Sequence, residues 1–457
     1  MPETISRQLF GTDGIRGVAG EPPLDDRTAH ALGFALGGWV HKGESSHGGP
    51  SAPEVLIGMD TRESGPWLAE QVAGGLAEAG VAARFAGIIT TPGVAYLTRT
   101  GPFAAGVMIS ASHNPYYDNG LKVISHSGYK LPDEIELQLE NSIQRWLDGN
   151  ASVAAKPLKV DPALDNLYAD YLAGTVSGTF PFRLVVDCAN GAATEVAPRL
   201  FKRLGAQVDW IGVSPNGRNI NLDCGSLHLD GLRQRVIETG ADFGIAFDGD
   251  ADRALFVAAN GRVVDGDAVL YLAGSALKRA GRLTSDLVVA TVMSNLGLEK
   301  ALGSSGIQML RTPVGDKYVL EEMLKRGAVL GGEQSGHVIF SEYATTGDGL
   351  LTALRVMEIV RDAERTLDGL AADITNFPQK LVNIRVKNKR PLAELESVQA
   401  EIRAAESEFN GSGRVVVRFS GTEPLARVMI EAKTDEEVEK WTARIADAIR
   451  AELGSAN

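Results

Sequence analysis

Short apolar runs recur along the chain at residues 55–58, 106–109, 184–186, 243–247, 287–290 and 328–330, each of a length that suits a buried strand. Between them, residues 67–79, 193–204 and 229–239 carry apolar positions three to four apart, the repeat of an amphipathic helix. Such alternation predicts βαβ units and a parallel or mixed sheet. At 255–264 two apolar runs flank Asn260-Gly261, a hairpin signal. The pattern changes near residue 374. An alternating strand at 379–387, a charged helix at 392–408, strands at 414–419 and 427–433 and a closing helix at 436–453 predict a smaller unit. The expected fold class is therefore α/β, with three α/β units over 1–157, 158–256 and 257–373 and an α+β unit over 374–457. The three successive α/β blocks are of a size to be distant copies of one another.

Composition narrows this picture. The chain has 457 residues, enough for about three or four domains. It is 44% hydrophobic, which supplies several cores and excludes wholesale disorder. Fifty-two glycines lie between the periodic segments, as many strand-to-helix turns would require. Lys+Arg 45 against Asp+Glu 58 gives a net charge of −13 with no long basic block, which argues against a nucleic-acid partner. An anionic substrate would need local arginines, lysines or a cation. Only Cys188 and Cys224 occur, so a disulfide framework is excluded. The first residues lack a signal pattern and no run approaches the roughly 20 apolar residues of a spanning helix. A cytoplasmic protein with no membrane partner is expected.

Two segments carry the most chemistry. The run 106–109 leads into Ser112-His113-Asn114-Pro115, and Pro115 biases Asn114 away from helix, which places Ser112 in a loop at a strand end. Strand ends of open α/β sheets line ligand crevices, where a serine can act as nucleophile or carry a phosphoryl group. Lys122 follows a short turn later and can move a proton if burial lowers its pKa. Read alone, the segment equally suits a polar turn with a solvated lysine. The second segment, Asp248-Gly249-Asp250-Ala251-Asp252-Arg253, follows the strand at 243–247. Three alternating carboxylates repel one another unless a cation neutralises them, and oxygen ligands suit Mg²⁺ or Ca²⁺. An EF-hand would need Gly at 253 and Glu at 259, where Arg253 and Ala259 stand. Mg²⁺ in phosphoryl transfer is favoured, because three carboxylates leave room for a phosphate oxygen.

Three further segments gain weight by company. Gly332-Glu333-Gln334-Ser335-Gly336-His337 offers hydrogen-bonding groups suited to sugar hydroxyls, though a plain loop fits as well. Arg418, Ser420, Gly421, Thr422 and Arg427 make a candidate phosphate cradle, or a turn with solvated arginines. Gly11-Thr12-Asp13-Gly14-Ile15-Arg16 can hold an anion or serve as ordinary turn chemistry. Asp60-Thr61-Arg62 follows another strand and reads chiefly as a structural brace.

Taken together, and in this order from Gly11 to Arg427, the segments resemble the α-D-phosphohexomutase superfamily. The opening Gly-Thr-Asp-Gly-Ile-Arg-Gly and the Gly-Glu-Gln-Ser-Gly-His loop resemble its bacterial glucosamine branch most. Ala251 departs from the glycine frequent there. The resemblance implies four domains around a central cleft. It implies Ser112 as the phosphoserine that carries the phosphoryl group, and one Mg²⁺ held by Asp248, Asp250, Asp252 and the Ser112 phosphate. Lys122 would be the acid/base, with Arg16 and His113 as further catalytic-loop residues and Arg253 beside the metal. Glu333, Ser335 and His337 would contact the sugar, and Arg418, Ser420, Gly421, Thr422 and Arg427 the distal phosphate. The implied reaction interconverts glucosamine 6-phosphate and 1-phosphate through a sugar 1,6-bisphosphate, on the route to UDP-N-acetylglucosamine and the cell wall. A homodimer is a further expectation. Mannose or glucose phosphate as substrate, or a catalytically silent sugar-phosphate sensor, are the alternatives.

Overall fold

The computed structural model describes residues 9–11, 13–42, 53–149, 152–420 and 424–454. The first body is built on β1 (Phe10–Gly11), β2 (Gly14–Val18), β3 (Glu54–Met59), β4 (Ala82–Ile88), β5 (Phe103–Ile109) and β6 (Asp118–Ser125), in the order β1-β2-β6-β5-β3-β4. β3 runs parallel to β4 and β5, whereas β6 returns antiparallel to β5. The sheet is covered on both faces, as strand alternation requires. Val55 and Ile57 pack with helices Asp26–His41 and Gly65–Glu78, and Leu56 packs with helix Thr91–Thr100 on the other side.

The second body carries β7 (Arg183–Asp187), β8 (Gln207–Ile211), β9 (Phe243–Phe247), β10 (Ala254–Ala258) and β11 (Val263–Val264), ordered β11-β10-β9-β7-β8. The third carries β12 (Leu287–Thr291), β13 (Gln308–Thr312), β14 (Leu330–Gly332) and β15 (Val338–Phe340), ordered β13-β12-β14-β15. The expected hairpin forms around Asn260-Gly261, and with it the second sheet runs on to Val264, past the expected division at 256. Phe243, Phe256, Leu270 and Leu351 belong to one continuous apolar cluster, so these two bodies share a core. The fourth body is the antiparallel sheet β16 (Gln379–Arg385), β17 (Arg414–Phe419) and β18 (Leu425–Glu431), ordered β16-β18-β17. Helices Glu396–Phe409 and Asp435–Leu453 cover it, the latter opened by a capping box of Thr434 and Glu437.

Two elements differ from expectation for local reasons. The run at 328–330 becomes a strand only from Leu330, because Gly327 in the left-handed region caps the preceding helix and the Ala328 N–H bonds back to Met323. The helix expected over 392–408 is split: a 3₁₀ turn ends at Glu394, and Leu395 at φ −91°, ψ 87° separates it from Glu396–Phe409. Among the described residues no helix is long and apolar enough to cross a membrane. Cys188 and Cys224 are free thiols.

Candidate active site

β5 is buried at every position and ends at Ile109, so the chain leaves the sheet at Ser110. Ser112 then adopts φ +52°, the left-handed region that costs a side-chain-bearing residue about 1–2 kcal/mol. The surroundings hold it there. Arg62, side chain fully buried, forms an ion pair with Asp60 (Nε–Oδ2 2.9 Å). Its guanidinium also donates to the carbonyls of Ser112 (3.0 Å), Asn114 (2.9 Å), Asp118 (2.8 Å) and Pro115. Asp60 in turn accepts the Ser110 hydroxyl at 2.6 Å. Asn221, from the second body, donates to the Ser112 carbonyl at 2.9 Å. The bracing reading of Asp60 and Arg62 thus acquires its geometry.

β9 is buried throughout and delivers Asp248, Asp250 and Asp252 beneath this loop. Their carboxylate oxygens lie within 4.8 Å of one another, and all three residues are buried. Burial first, then the charges of Asp252 and Asp250, push the Asp248 carboxyl well above the carboxylate range. Asp250 Oδ1 and Asp252 Oδ1 are buried without a hydrogen-bond partner. Three crowded hard oxygens with unmet lone pairs fit a divalent cation. The serine meets them directly: its Oγ donates to Asp248 Oδ2 at 2.6 Å. Ala251 also sits at positive φ, +53°, which explains in backbone terms why glycine suits this position.

Gly249 is required by close approach. A Cβ there would meet the Ser112 carbonyl oxygen at 2.4 Å and Asn221 Nδ2 at 2.9 Å. Gly249→Ala is expected to force the two loops apart and to lower kcat by about 10²-fold, since a displacement near 1 Å suffices for that. Steady-state kinetics on a variant with unchanged circular dichroism test this; wild-type turnover contradicts it.

Lys122 stands on β6 opposite Met108, in the strand antiparallel to β5 and not in a turn. The expectation that burial lowers its pKa is overturned. Burial does oppose the charge, but Asp13 and Asp250 outweigh it and hold the ammonium well above the ordinary lysine value. Its Nζ lies 2.8 Å from Asp250 Oδ2 and 3.1 Å from Asp13 Oδ2. Arg16, on β2, pairs with the same Asp13. His113 Nδ1 is 3.3 Å from Ser112 Oγ; burial, with Arg253 and Arg16 nearby, pushes this imidazole down to about 4, so it is neutral at pH 7.

The loop between β14 and β15 brings Glu333 and His337 across from the serine. His337 Nε2 lies 3.0 Å from the Gly347 nitrogen and Nδ1 3.5 Å from Asp252 Oδ2; burial opposes a charge on the ring, but Asp252 and Asp316 outweigh it and raise the imidazole to about 9. Ser112, His113, Arg16, Arg253, Glu333 and His337 all line one cavity of about 290 Å³. Ser335 does not line it; its buried Oγ has no hydrogen-bond partner.

The fourth body contributes differently. Arg418 and Arg427 are cross-strand partners, and burial and Arg427's charge lower the Arg418 pKa. Lys389 donates to the Ser420 carbonyl at 2.6 Å. Arg418, Ser420 and Arg427 do not line the cavity; Gly421 and Thr422 lie outside the described residues. This body is anchored to the third by Arg414, which donates to the Val292 (2.7 Å) and Ser294 (2.5 Å) carbonyls.

Sequence reasoning did not assign Thr91, Lys130 or Asp316. Thr91 donates its hydroxyl to Asp250 Oδ2 at 2.5 Å, and Thr90-Thr91-Pro92, a helix-start signature, was its available signal. Lys130 bridges Asp13 and Asp316 and has no local motif.

The chain matches four models of phosphoglucomutase/phosphomannomutase: alpha/beta/alpha domain I over residues 7–149, domain II over 166–261, domain III over 265–377 and the C-terminal domain over 381–448. It is 59% identical to the phosphoglucosamine mutase of Solibacter usitatus over 453 residues, covering 98% of this chain and 100% of that one. It is 51% identical to that of Koribacter versatilis, covering 98% of each. A Burkholderia thailandensis phosphoglucomutase/phosphomannomutase family protein superposes with a TM-score of 0.79 at 26% identity, covering 98% of both chains. The Aspergillus fumigatus N-acetylphosphoglucosamine mutase, solved with GlcNAc-6P and magnesium, gives 0.64 at 19% identity over 98% of this chain and 96% of that one, a likeness of fold.

Proposed function

The chain belongs to the phosphoglucomutase/phosphomannomutase family, and from that premise we propose that it is a phosphoglucosamine mutase working in the cytoplasm on a small phosphosugar. The observation that carries the reading is Ser112, held at positive φ on a cavity shared with Asp252, Glu333 and His337, its Oγ hydrogen-bonded to Asp248 of the buried aspartate triad.

In the proposed cycle phospho-Ser112 faces the free hydroxyl of the bound sugar phosphate. The hydroxyl oxygen forms the new bond to phosphorus and releases its proton to water, the Ser112 Oγ–phosphorus bond breaks with Oγ taking a proton from Lys122, and a 1,6-bisphosphate results. The bisphosphate turns around and returns its other phosphoryl group to Ser112 Oγ. Lys122, held cationic, suits the donor of a proton to the departing serine oxygen and its acceptor on return. Neutral His113 orients the serine side, and Arg16 and Arg253 offset charge on the transferring group. Asp248, Asp250 and Asp252 with a Ser112 phosphate oxygen would hold one Mg²⁺, which supplies charge neutralisation when bound. Glu333, which lines the cavity, suits the sugar hydroxyls; Ser335 would reach them only if its loop moved.

Arg418 and Arg427, adjacent on neighbouring strands, suit the phosphate that is not reacting. Because they stand off the cavity, the fourth body would have to close for turnover. Arg427→Ala is expected to lower kcat/KM by about 10²-fold, roughly 2.7 kcal/mol, without changing the phosphorylation of Ser112. Kinetics and intact mass on one preparation check both; unchanged kinetics refute the role.

The deciding assay compares glucosamine, glucose, mannose and N-acetylglucosamine 6-phosphates side by side in a coupled mutase assay. Glucosamine 6-phosphate should give the highest kcat/KM. A higher value for mannose or glucose phosphate overturns the assignment, and no turnover of any of them favours a binding protein.

A further inference from the structure

Glu333 Oε1 accepts the Gly315 N–H at 3.1 Å, so the turn before helix Asp316–Arg326 and the sugar loop form one wall of the cavity. Asp316 is the first residue of that helix, where the dipole favours a carboxylate. Its Oδ2 lies 2.6 Å from Lys130 Nζ and 3.8 Å from His337 Nε2, and the residue lines the cavity. Burial opposes ionisation, yet Lys130 and then His337 hold the carboxyl below the ordinary range.

A cavity meant for a phosphosugar should be rich in cations. This one has Arg16, Lys130, Arg253 and Lys317, but sets against them Asp13, Asp133, Glu136, Asp316 and Glu333 in addition to Asp252 of the triad. Their charges are tied to different partners. Asp13 balances Lys122 and Arg16, Asp133 pairs with Lys317, and Glu333 takes a backbone N–H. Asp316 is balanced through Lys130, whose Nζ is shared with Asp13 Oδ1 at 2.5 Å. Lys130 is shared between two carboxylates and the His337 ring stands 3.8 Å off, beyond hydrogen-bond reach, so Asp316 has one close cation and room at the cavity for a second. A glucosamine phosphate differs from a glucose phosphate by one such group, an amine protonated at neutral pH.

Resting on the mutase reading, we propose that Asp316 is a specificity-determining residue whose carboxylate recognises the ammonium at C2 of the substrate. Lys130 holds the carboxylate ionised and in place between substrates. Discrimination by charge at this wall adds to hydroxyl recognition by the sugar loop, and it lapses when the sugar amine loses its proton.

The test is kcat/KM for glucosamine 6-phosphate and glucose 6-phosphate, measured from pH 6.5 to 9 for the wild type, Asp316→Asn and Asp316→Glu. In Asp316→Asn the value for glucosamine should fall at least tenfold further than that for glucose, chiefly through KM. Asp316→Glu should restore part of the preference. The wild-type preference should decline above about pH 8, where amines of this kind lose their proton, and the asparagine variant should show no such decline. Asp316→Ser repeats the measurement if the asparagine form is poorly folded. Equal losses on both substrates, or an unchanged pH profile of the ratio, overturn the proposal. A wild type inactive on glucosamine 6-phosphate instead defeats the mutase assignment itself.

Discussion

Ser112→Ala should abolish mutase turnover, by at least about four decades in kcat, while leaving a folded protein. The loss is large because nothing else described in the cavity can carry the group. Lys122 is paired with two carboxylates and does not line the cavity, His113 holds its Nδ1 3.3 Å from the serine oxygen, and the aspartates are needed as charge. The structural cost is small by comparison. Ser112 Oγ makes one hydrogen bond to Asp248, worth about 1.5–3 kcal/mol to a charged acceptor, whereas the loop is held through its backbone by Arg62 and Asn221. Intact mass should show a wild-type fraction heavier by one phosphoryl group, mapped to Ser112 and absent from the variant. Far-UV circular dichroism of the two should coincide. Substantial turnover by Ser112→Ala would sink the carrier role, whatever its stability.

What the sequence disclosed about this centre is what short-range patterns can encode. The serine loop, the aspartate triad and the Glu333–His337 loop each follow an apolar run, and each run is a strand whose end opens onto the cavity. Contacts made over long separations were not legible. Lys130 and Asp316 are 186 residues apart, and neither belongs to a motif. The sequence suggests that Lys122 follows a short turn, whereas it stands on β6, and the lowered pKa on which its proton role was conditioned is not found. Its charge is decided by Asp13 and Asp250, both remote from it in sequence, and a local reading sees only the burial. Arg62 reads as a strand-end arginine, while its four carbonyl acceptors become visible only when the loop 112–118 folds over it. The shared core of the second and third bodies was equally hidden, because apolar periodicity reports that a face is buried and not what it is buried against. The Arg418–Arg427 segment proposed for phosphate shows the converse: its residue types are visible in the sequence, but its distance from the cavity is a matter of domain placement.

Chelation of divalent metal should abolish turnover and lower thermal stability, and Mg²⁺ should restore both. Asp248, Asp250 and Asp252 are crowded within 4.8 Å, and desolvation with mutual repulsion already pushes the Asp248 carboxyl up. A cation that binds the folded form alone adds about 2.7 kcal/mol at a hundredfold excess over Kd, so the melting temperature should rise with Mg²⁺ concentration. Asp250→Asn tests the centre from within. Asparagine keeps an oxygen for the Thr91 hydroxyl and the Lys122 ammonium, but removes the charge that Lys122 faces at 2.8 Å and one of three anionic ligands. Its kcat should fall by at least one to two decades, about 1.4 kcal/mol each, and its Mg²⁺-dependent stabilisation should shrink. Thr91→Val separates charge from hydrogen bonding: it removes the 2.5 Å bond to Asp250 Oδ2, keeps all three carboxylates, and should cost less than tenfold in kcat. If Asp250→Asn matches the wild type in rate, or if chelated enzyme turns over at full speed, the triad is a structural acid cluster. If Thr91→Val is the more damaging change, the hydrogen bond that ties the first body to the second outweighs the charge at Asp250.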